Sequence, residues 1–205
     1  MSSLNDGKAL PLMEHFYTIQ GEGAYSGHAA YFIRLGGCDV GCVWCDVKDS
    51  WDASNHPLVN IEEMLQFVLQ TPAKLCVITG GEPAMYNLDP LTQLLKINGI
   101  RVHIETSGAY PINGNFDWIC ISPKKFKLPI QEALVLCDEY KQVVYHPSDI
   151  NWTQQFLDFL KPSCLLMLQP EWSKAESMST LIIDYVKANP QWSISLQTHK
   201  FLNIP

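Results

Sequence analysis

Seven short, mostly apolar runs recur along the chain: Ala30–Leu35, Leu75–Thr79, Arg101–Glu105, Trp118–Ser122, Lys141–Tyr145, Cys164–Leu168 and Ser193–Gln197. Each has the length and β-branched character of a buried strand. Amphipathic stretches lie between them. Ile61–Leu69 carries apolar residues at Ile61, Met64, Leu65, Val68 and Leu69, a helical spacing with Asn60 placed as the cap. Leu88–Leu95, Thr153–Leu160 and Lys174–Lys187 read the same way. Strands alternating with helices predict a parallel sheet with right-handed crossovers. Seven such strands in 205 residues favour one domain built as a complete or partial (βα) barrel, with an open doubly wound sheet as the alternative.

Composition narrows the class. With 47% hydrophobic and 17% charged residues, the chain has the apolar content for a core and is not a disordered polymer. A formal charge of −7 argues against binding a nucleic-acid backbone. No apolar run approaches the roughly 20 residues that span a bilayer. The segment from Met1 to Lys8 is polar and lacks the apolar region of a secretion signal, so the expected location is cytoplasmic. Disulfides are rare there, and the seven cysteines need another explanation.

Polar clusters follow the runs. Gly36–Cys45 comes after the first, Gly80-Gly81-Glu82-Pro83 after the second, and Glu105-Thr106-Ser107-Gly108 closes the third. Ser122-Pro123-Lys124, His146-Pro147, Gln169-Pro170-Glu171 and Gln197-Thr198-His199-Lys200 complete the series. Parallel strands of an α/β barrel open their C-terminal ends on one face, where active sites are built.

The first cluster is the most specific. Cys38, Cys42 and Cys45 stand in C-x3-C-x2-C spacing on a loop carrying Gly37 and Gly41. Three thiolates this close suit one metal centre. A Cys3His zinc site would take His28 or His56 as its fourth ligand. A three-cysteine iron–sulfur cubane would instead leave one iron open for a small molecule.

These cysteines, with Trp44 before the last of them, resemble the cluster motif of the radical S-adenosylmethionine superfamily. The resemblance implies a 4Fe-4S cluster whose open iron chelates the cofactor's methionine, and reductive cleavage to a 5′-deoxyadenosyl radical. It also implies a partial, modified TIM-like (βα) barrel over residues 1–205, with the cluster loop at 36–46. Further motifs narrow the match: Phe16-Tyr17-Thr18-Ile19-Gln20-Gly21-Glu22-Gly23, Phe32-Ile33-Arg34-Leu35-Gly36-Gly37-Cys38 and Ile78-Thr79-Gly80-Gly81-Glu82-Pro83. Together with the later clusters they resemble the 7-carboxy-7-deazaguanine synthase family from about Phe16 to Pro205. That family converts 6-carboxy-5,6,7,8-tetrahydropterin to 7-carboxy-7-deazaguanine with loss of ammonia, feeding queuosine and related deazapurines. Another small radical enzyme, such as a glycyl-radical activase, and a non-enzymatic zinc module are the rival readings.

The resemblance distributes roles residue by residue. Trp44, Cys45, Asp46, Gly80, Gly81, Glu82, Glu105, Ser122, Pro123, Lys124 and the turn of Gln169, Pro170, Glu171 and Trp172 match cofactor-contact positions. Ile19, Gln20, Gly21, Glu22, Arg34, Thr79, His199 and Pro205 match substrate contacts. Arg34 interrupts an apolar strand, and a guanidinium suits the substrate's carboxylate. The alternative for Arg34 is pairing with a structural acid. Many members bind Mg²⁺ through a hydroxyl after the Cys-Asp pair, but Val47 stands there, and an isopropyl group cannot ligate a hard cation. Asp46 binding the ion alone, Lys48 supplying charge in its place, and weak or absent magnesium dependence all stay open. The resemblance further implies a docked C-terminus, a homodimer, and flavodoxin or ferredoxin as electron donor. Cys76, Cys120, Cys137 and Cys164 read as buried core residues.

Overall fold

A computed structural model describes residues 6–205; the first five residues of the polar N-terminal segment lie outside the described part. It holds strands β1 (Ala9–Ile19), β2 (Ala29–Leu35), β3 (Leu58–Asn60), β4 (Leu75–Gly80), β5 (Arg101–Thr106), β6 (Trp118–Ile121), β7 (Glu139–Val144), β8 (Leu165–Pro170) and β9 (Trp192–Ile194). The helices are α1 (Ile61–Leu69), α2 (Asp89–Ile97), α3 (Gln131–Leu134), α4 (Ser148–Thr153), α5 (Ala175–Ala188) and α6 (Thr198–Leu202). One sheet takes all nine strands in the order β3-β1-β2-β4-β5-β6-β7-β8-β9. From β2 through β4 to β9 every pairing is parallel, as the alternation predicts. The two ends of the sheet do not pair, so the barrel is partial rather than complete.

The period of two along each strand divides the residues between two environments. Tyr31, Ile33, Leu35, Cys76, Ile78, Val102 and Ile104 point outward and pack with α1 and α2 residues such as Met64, Leu65, Leu91 and Leu95. Ile121, Tyr140, Val144 and Leu168 do the same against α3 to α5, with Ile182 and Trp192. The other set faces inward. Ala30, Phe32, Leu75 and Val77 form a small apolar floor. Above it, towards the C-terminal ends of the strands, the inward positions turn polar: Arg34, Thr79, Glu105 and Lys141.

Several local expectations are corrected. β1 was not foreseen. A bulge between Leu12 and Glu14 shifts its register on β2 and breaks the alternation that would have shown it. The helix expected over Thr153–Leu160 begins at Ser148, and Gln154–Phe159 tightens into a 3₁₀ turn. Asn60 precedes α1, but its side chain makes no capping bond; the amide of Ile61 instead donates to the carbonyl of Lys8 at 3.0 Å. α6 forms where the sequence reads as a polar turn.

Candidate active site

A cleft of about 270 Å³ opens where the inward strand ends converge. The cluster loop leaves β2 and returns along a backbone seam: the amide of Gly37 donates to Ser50 at 2.6 Å and that of Cys38 to Trp51 at 3.0 Å. Cys38, Cys42 and Cys45 are free thiols lining this cleft. Burial pushes the Cys42 thiol up to about 11, with Lys124 opposing the shift. Across the loop, the amide of Glu82 donates to the carbonyl of Gly37 at 2.8 Å. Gly81 is required there, because a Cβ on it would sit 2.4 Å from that carbonyl oxygen and 2.7 Å from Cys38 Cβ. Asp39 extends the anchoring outward, accepting from Tyr110 at 2.5 Å and from Lys127 at 2.7 Å.

The donor set fits an iron–sulfur cluster. Soft thiolates on a cleft wall are its ligand type, and three of them leave one iron open. Neither candidate for a fourth zinc ligand lines the cleft: His28 bonds the Tyr25 carbonyl at 3.0 Å and His56 the Asp49 carbonyl at 2.9 Å. Among the described residues, no three His, Cys, Asp or Glu side chains converge closely enough to hold a single ion.

Nearly all the residues singled out from the sequence meet in this cleft. Of the residues expected as cofactor contacts, Trp44, Cys45, Asp46, Gly80, Gly81, Glu82, Glu105, Ser122, Lys124, Gln169, Glu171 and Trp172 line it. Pro123 and Pro170 do not; both are buried behind their turns and shape the backbone there. Glu82 is buried with its oxygens occupied. It accepts from Ala84 N at 3.0 Å, Thr106 Oγ1 at 2.5 Å, Ser107 N at 2.8 Å and the Ser107 hydroxyl. Those four donors fill a carboxylate's acceptor positions, so Glu82 ties the β4 loop to the β5 loop. Lys124 donates to the Ser122 carbonyl at 2.5 Å and hydroxyl at 2.6 Å, and burial holds its ammonium below the usual lysine range.

Ile19, Gln20, Gly21, Glu22, Arg34, Thr79, His199 and Pro205, expected as substrate contacts, line the same cleft. Arg34 is paired with an acid, the alternative that the sequence left open. Its Nε donates to Glu14 Oε1 at 2.6 Å, the neighbour it faces across β1 and β2. Among the described residues, its two terminal nitrogens carry no acceptor. α6 is seated on the loop after β1: Thr198 N donates to the Gly21 carbonyl at 2.8 Å, and a Cβ on Gly21 would strike His199. Burial lowers the His199 imidazole below its usual value, against the pull of Glu22.

Two cations were missed by the sequence reading. Lys141 lines the cleft above the apolar floor and joins Glu22 to Glu105. Its signal was the one that marked Arg34, a charge inside an apolar strand, but it sits where the apolar run begins and passed as the strand's edge. Lys200, not the exposed Lys48, is the cation beside Asp46, and Lys48 does not line the cleft.

Residues 32–124 match the Radical SAM superfamily. A 7-carboxy-7-deazaguanine synthase of Flavobacterium psychrophilum is 51% identical over 99% of this chain and 96% of its own length. The enzyme of that name from Synechocystis sp. is 45% identical over 95% of this chain and 93% of its own. The crystal structure of QueE from Escherichia coli has a TM-score of 0.84 at 32% identity, covering 92% of this chain and 94% of that one. Its cluster loop, its partial barrel and relatives this similar along nearly the whole length make the chain a member of the 7-carboxy-7-deazaguanine synthase family of radical SAM proteins.

Proposed function

We propose that this chain converts 6-carboxy-5,6,7,8-tetrahydropterin to 7-carboxy-7-deazaguanine with release of ammonia, a step of 7-deazapurine (queuosine) biosynthesis. One observation carries the reading: three free thiols, a guanidinium with open terminal nitrogens, and a Gln–Glu loop under a C-terminal helix all line one cleft. Cys38, Cys42 and Cys45 would hold the 4Fe-4S cluster. Together with S-adenosylmethionine it would supply the hydrogen-atom abstraction from the pterin that the reaction needs.

The chain's residues bind and orient. The terminal nitrogens of Arg34 suit the substrate carboxylate, for which they form a planar fork. Glu22 accepts from the N–H groups along the pyrimidine edge, beside Gln20 and the backbone of Ile19 and Gly21. Thr79 and His199 bracket the ring, and Pro205 borders the same opening. Ser122 and Lys124 donate towards the cofactor's ribose and carboxylate, while Trp44 and Trp172 supply apolar walls. A sheet continuous from β3 to β9 supports reading residues 1–205 as one catalytic domain.

A magnesium site does not fit the residues present. The Val47 side chain offers no oxygen, its carbonyl is taken by Ser50, and Asp46 Oδ2 faces the Lys200 ammonium at 3.2 Å. No step is assigned to that ion. A cytoplasmic homodimer receiving electrons from a flavodoxin or ferredoxin belongs to this reading, by family likeness. Among the described residues no helix is long and apolar enough to cross a membrane.

Anaerobic reconstitution followed by a single turnover tests the proposal. Iron-loaded protein should form 7-carboxy-7-deazaguanine from the carboxytetrahydropterin, cofactor and reductant. Protein that takes up no iron, or forms no 5′-deoxyadenosine on reduction, would overturn it.

A further inference from the structure

Lys141 is only 1% exposed, yet it carries an ammonium on the inward face of β7. Its Nζ donates to Glu22 Oε2 at 2.5 Å and to Glu105 Oε2 at 3.1 Å. The two acids arrive from distant parts of the sequence, Glu22 from the loop after β1 and Glu105 from β5. Each is fixed by a second donor on its other oxygen. Gln197 Nε2 reaches Glu22 Oε1 at 2.8 Å, and Gln20 Nε2 reaches Glu105 Oε1 at 2.8 Å. Gln20 closes the circuit by accepting from the Glu22 amide at 3.1 Å. Each of the four carboxylate oxygens therefore accepts a bond from the protein, which fixes both acids where they line the cleft.

Charge balance alone does not explain this arrangement. A buried ammonium needs compensation, which one carboxylate would provide. Here two flank it, and a third, Glu139, lies two residues back along β7, held by Ala24 N at 3.0 Å and Trp118 Nε1 at 3.1 Å. The other titratable groups facing this cluster are Cys120 on β6, Lys124 after β6, and His199 on α6, with Asp46 further out on the cluster loop. Burial alone would lift the Glu22 carboxyl; the charge and hydrogen bond of Lys141, then Gln197 and Gln169, hold it at about 2. Lys141 itself is disfavoured by burial but kept well above the usual lysine value by the acids around it.

We propose that Lys141 is a positioning residue for the reaction: its ammonium splays the Glu22 and Glu105 carboxylates into the cleft and keeps Glu22 a pure acceptor for the N–H edge of the heterocycle. The inference rests on the function proposed above, which puts Glu22 at that edge. Without Lys141, the desolvated Glu22 takes up a proton, becomes a donor and opposes the same edge.

The test uses the reconstituted holoenzyme as Lys141→Met, Lys141→Arg and the double variant Lys141→Met/Glu22→Gln. In Lys141→Met, KM for the carboxytetrahydropterin should rise as pH falls, by about tenfold per pH unit below the new Glu22 pKa. The change in kcat should be much smaller. The parent should show no such limb over the same range, and Lys141→Arg should restore most of the parent profile. Infrared spectra should show a protonated carboxyl band in Lys141→Met that is lost in the double variant. A Lys141→Met profile superimposable on the parent, with no new carboxyl band, overturns the proposal. If Lys141→Met fails to fold, the double variant should recover folding, because it removes the carboxylate nearest the lost ammonium and leaves Glu105 bonded to Gln20; equal failure of both makes Lys141 a packing residue and overturns the proposal too. A parent inactive on the pterin counts against the proposed function instead, and the carboxyl band, read without turnover, decides the role of Lys141 separately.

Discussion

Asp46 Oδ2 lies 3.2 Å from Nζ of Lys200, so the residue after the last cluster cysteine is pinned to α6. Lys200 also stands over the ring of Trp172 at 5.3 Å. The pair sets a cation on Asp46, the carboxylate that a magnesium ion would need. Activity should therefore be unchanged when magnesium is chelated and then restored. Val47→Thr alone should stay flat, whereas Val47→Thr/Lys200→Ala, which adds an oxygen and releases Asp46, should gain a magnesium response. A parent rate that collapses on chelation and recovers with the ion would refute this reading.

Arg34 divides its guanidinium between Glu14 and the cleft. Charge-assisted hydrogen bonds contribute about 1.5–3 kcal/mol each, so Arg34→Ala should raise KM for the carboxylated pterin roughly tenfold to a hundredfold. Glu14→Gln keeps the side chain's shape and should change KM far less. Steady-state kinetics on both variants check the contrast, and equal effects would mean that the pairing with Glu14, not the substrate, is what Arg34 serves.

Gly81 packs against Gly37 and Cys38 with no room for a methyl group. Gly81→Ala should displace the cluster loop and lower iron content per chain after anaerobic reconstitution. Gly99→Ala makes a useful contrast, since a Cβ there meets nothing within 4 Å and its cost comes from its positive φ of 73° alone. Iron retention should fall in the first variant and not in the second.

His103 is buried, and its Nε2 has no hydrogen-bond partner among the described residues. Burial, with Arg101 adding to it, lowers its pKa from 6.5 to about 4. Between those values the unfolded chain binds the proton and the folded one does not, so stability rises with pH across the window and is lost towards acid. The loss reaches at most about 3 kcal/mol at pH 4. Urea midpoints at pH 7.5 and 5 should separate for the parent and draw together in His103→Phe. Glu22 acts lower down: its carboxyl is depressed from 4.5 to about 2, so its contribution is present above 4.5 and lost as pH falls towards 2.

The parallel strands and the cleft were legible in the sequence for one reason. Each inner strand turns an apolar face to the helices and ends in a polar turn, so strand and site residues announce each other. β1 escaped because a bulge at Leu12/Glu14 breaks its alternation. α3 and α6, with four and five residues, are too short to display a helical period. Lys200 was missed beside Asp46 because that contact spans 154 positions, whereas Lys48 is close only along the chain. Lys141 needed the register of β7 against its neighbours before its inward direction could be known.

The hydrogen bonds from Gly23 N to Ser195 Oγ and from Thr198 Oγ1 to the Gly21 carbonyl stitch together segments 172 and 177 positions apart. The wall formed by residues 20–23 is therefore held by residues 195–199, of which Gln197 and His199 line the cleft beside it. Two stretches that the sequence keeps far apart thus share one wall of the cleft, and neither makes that wall alone.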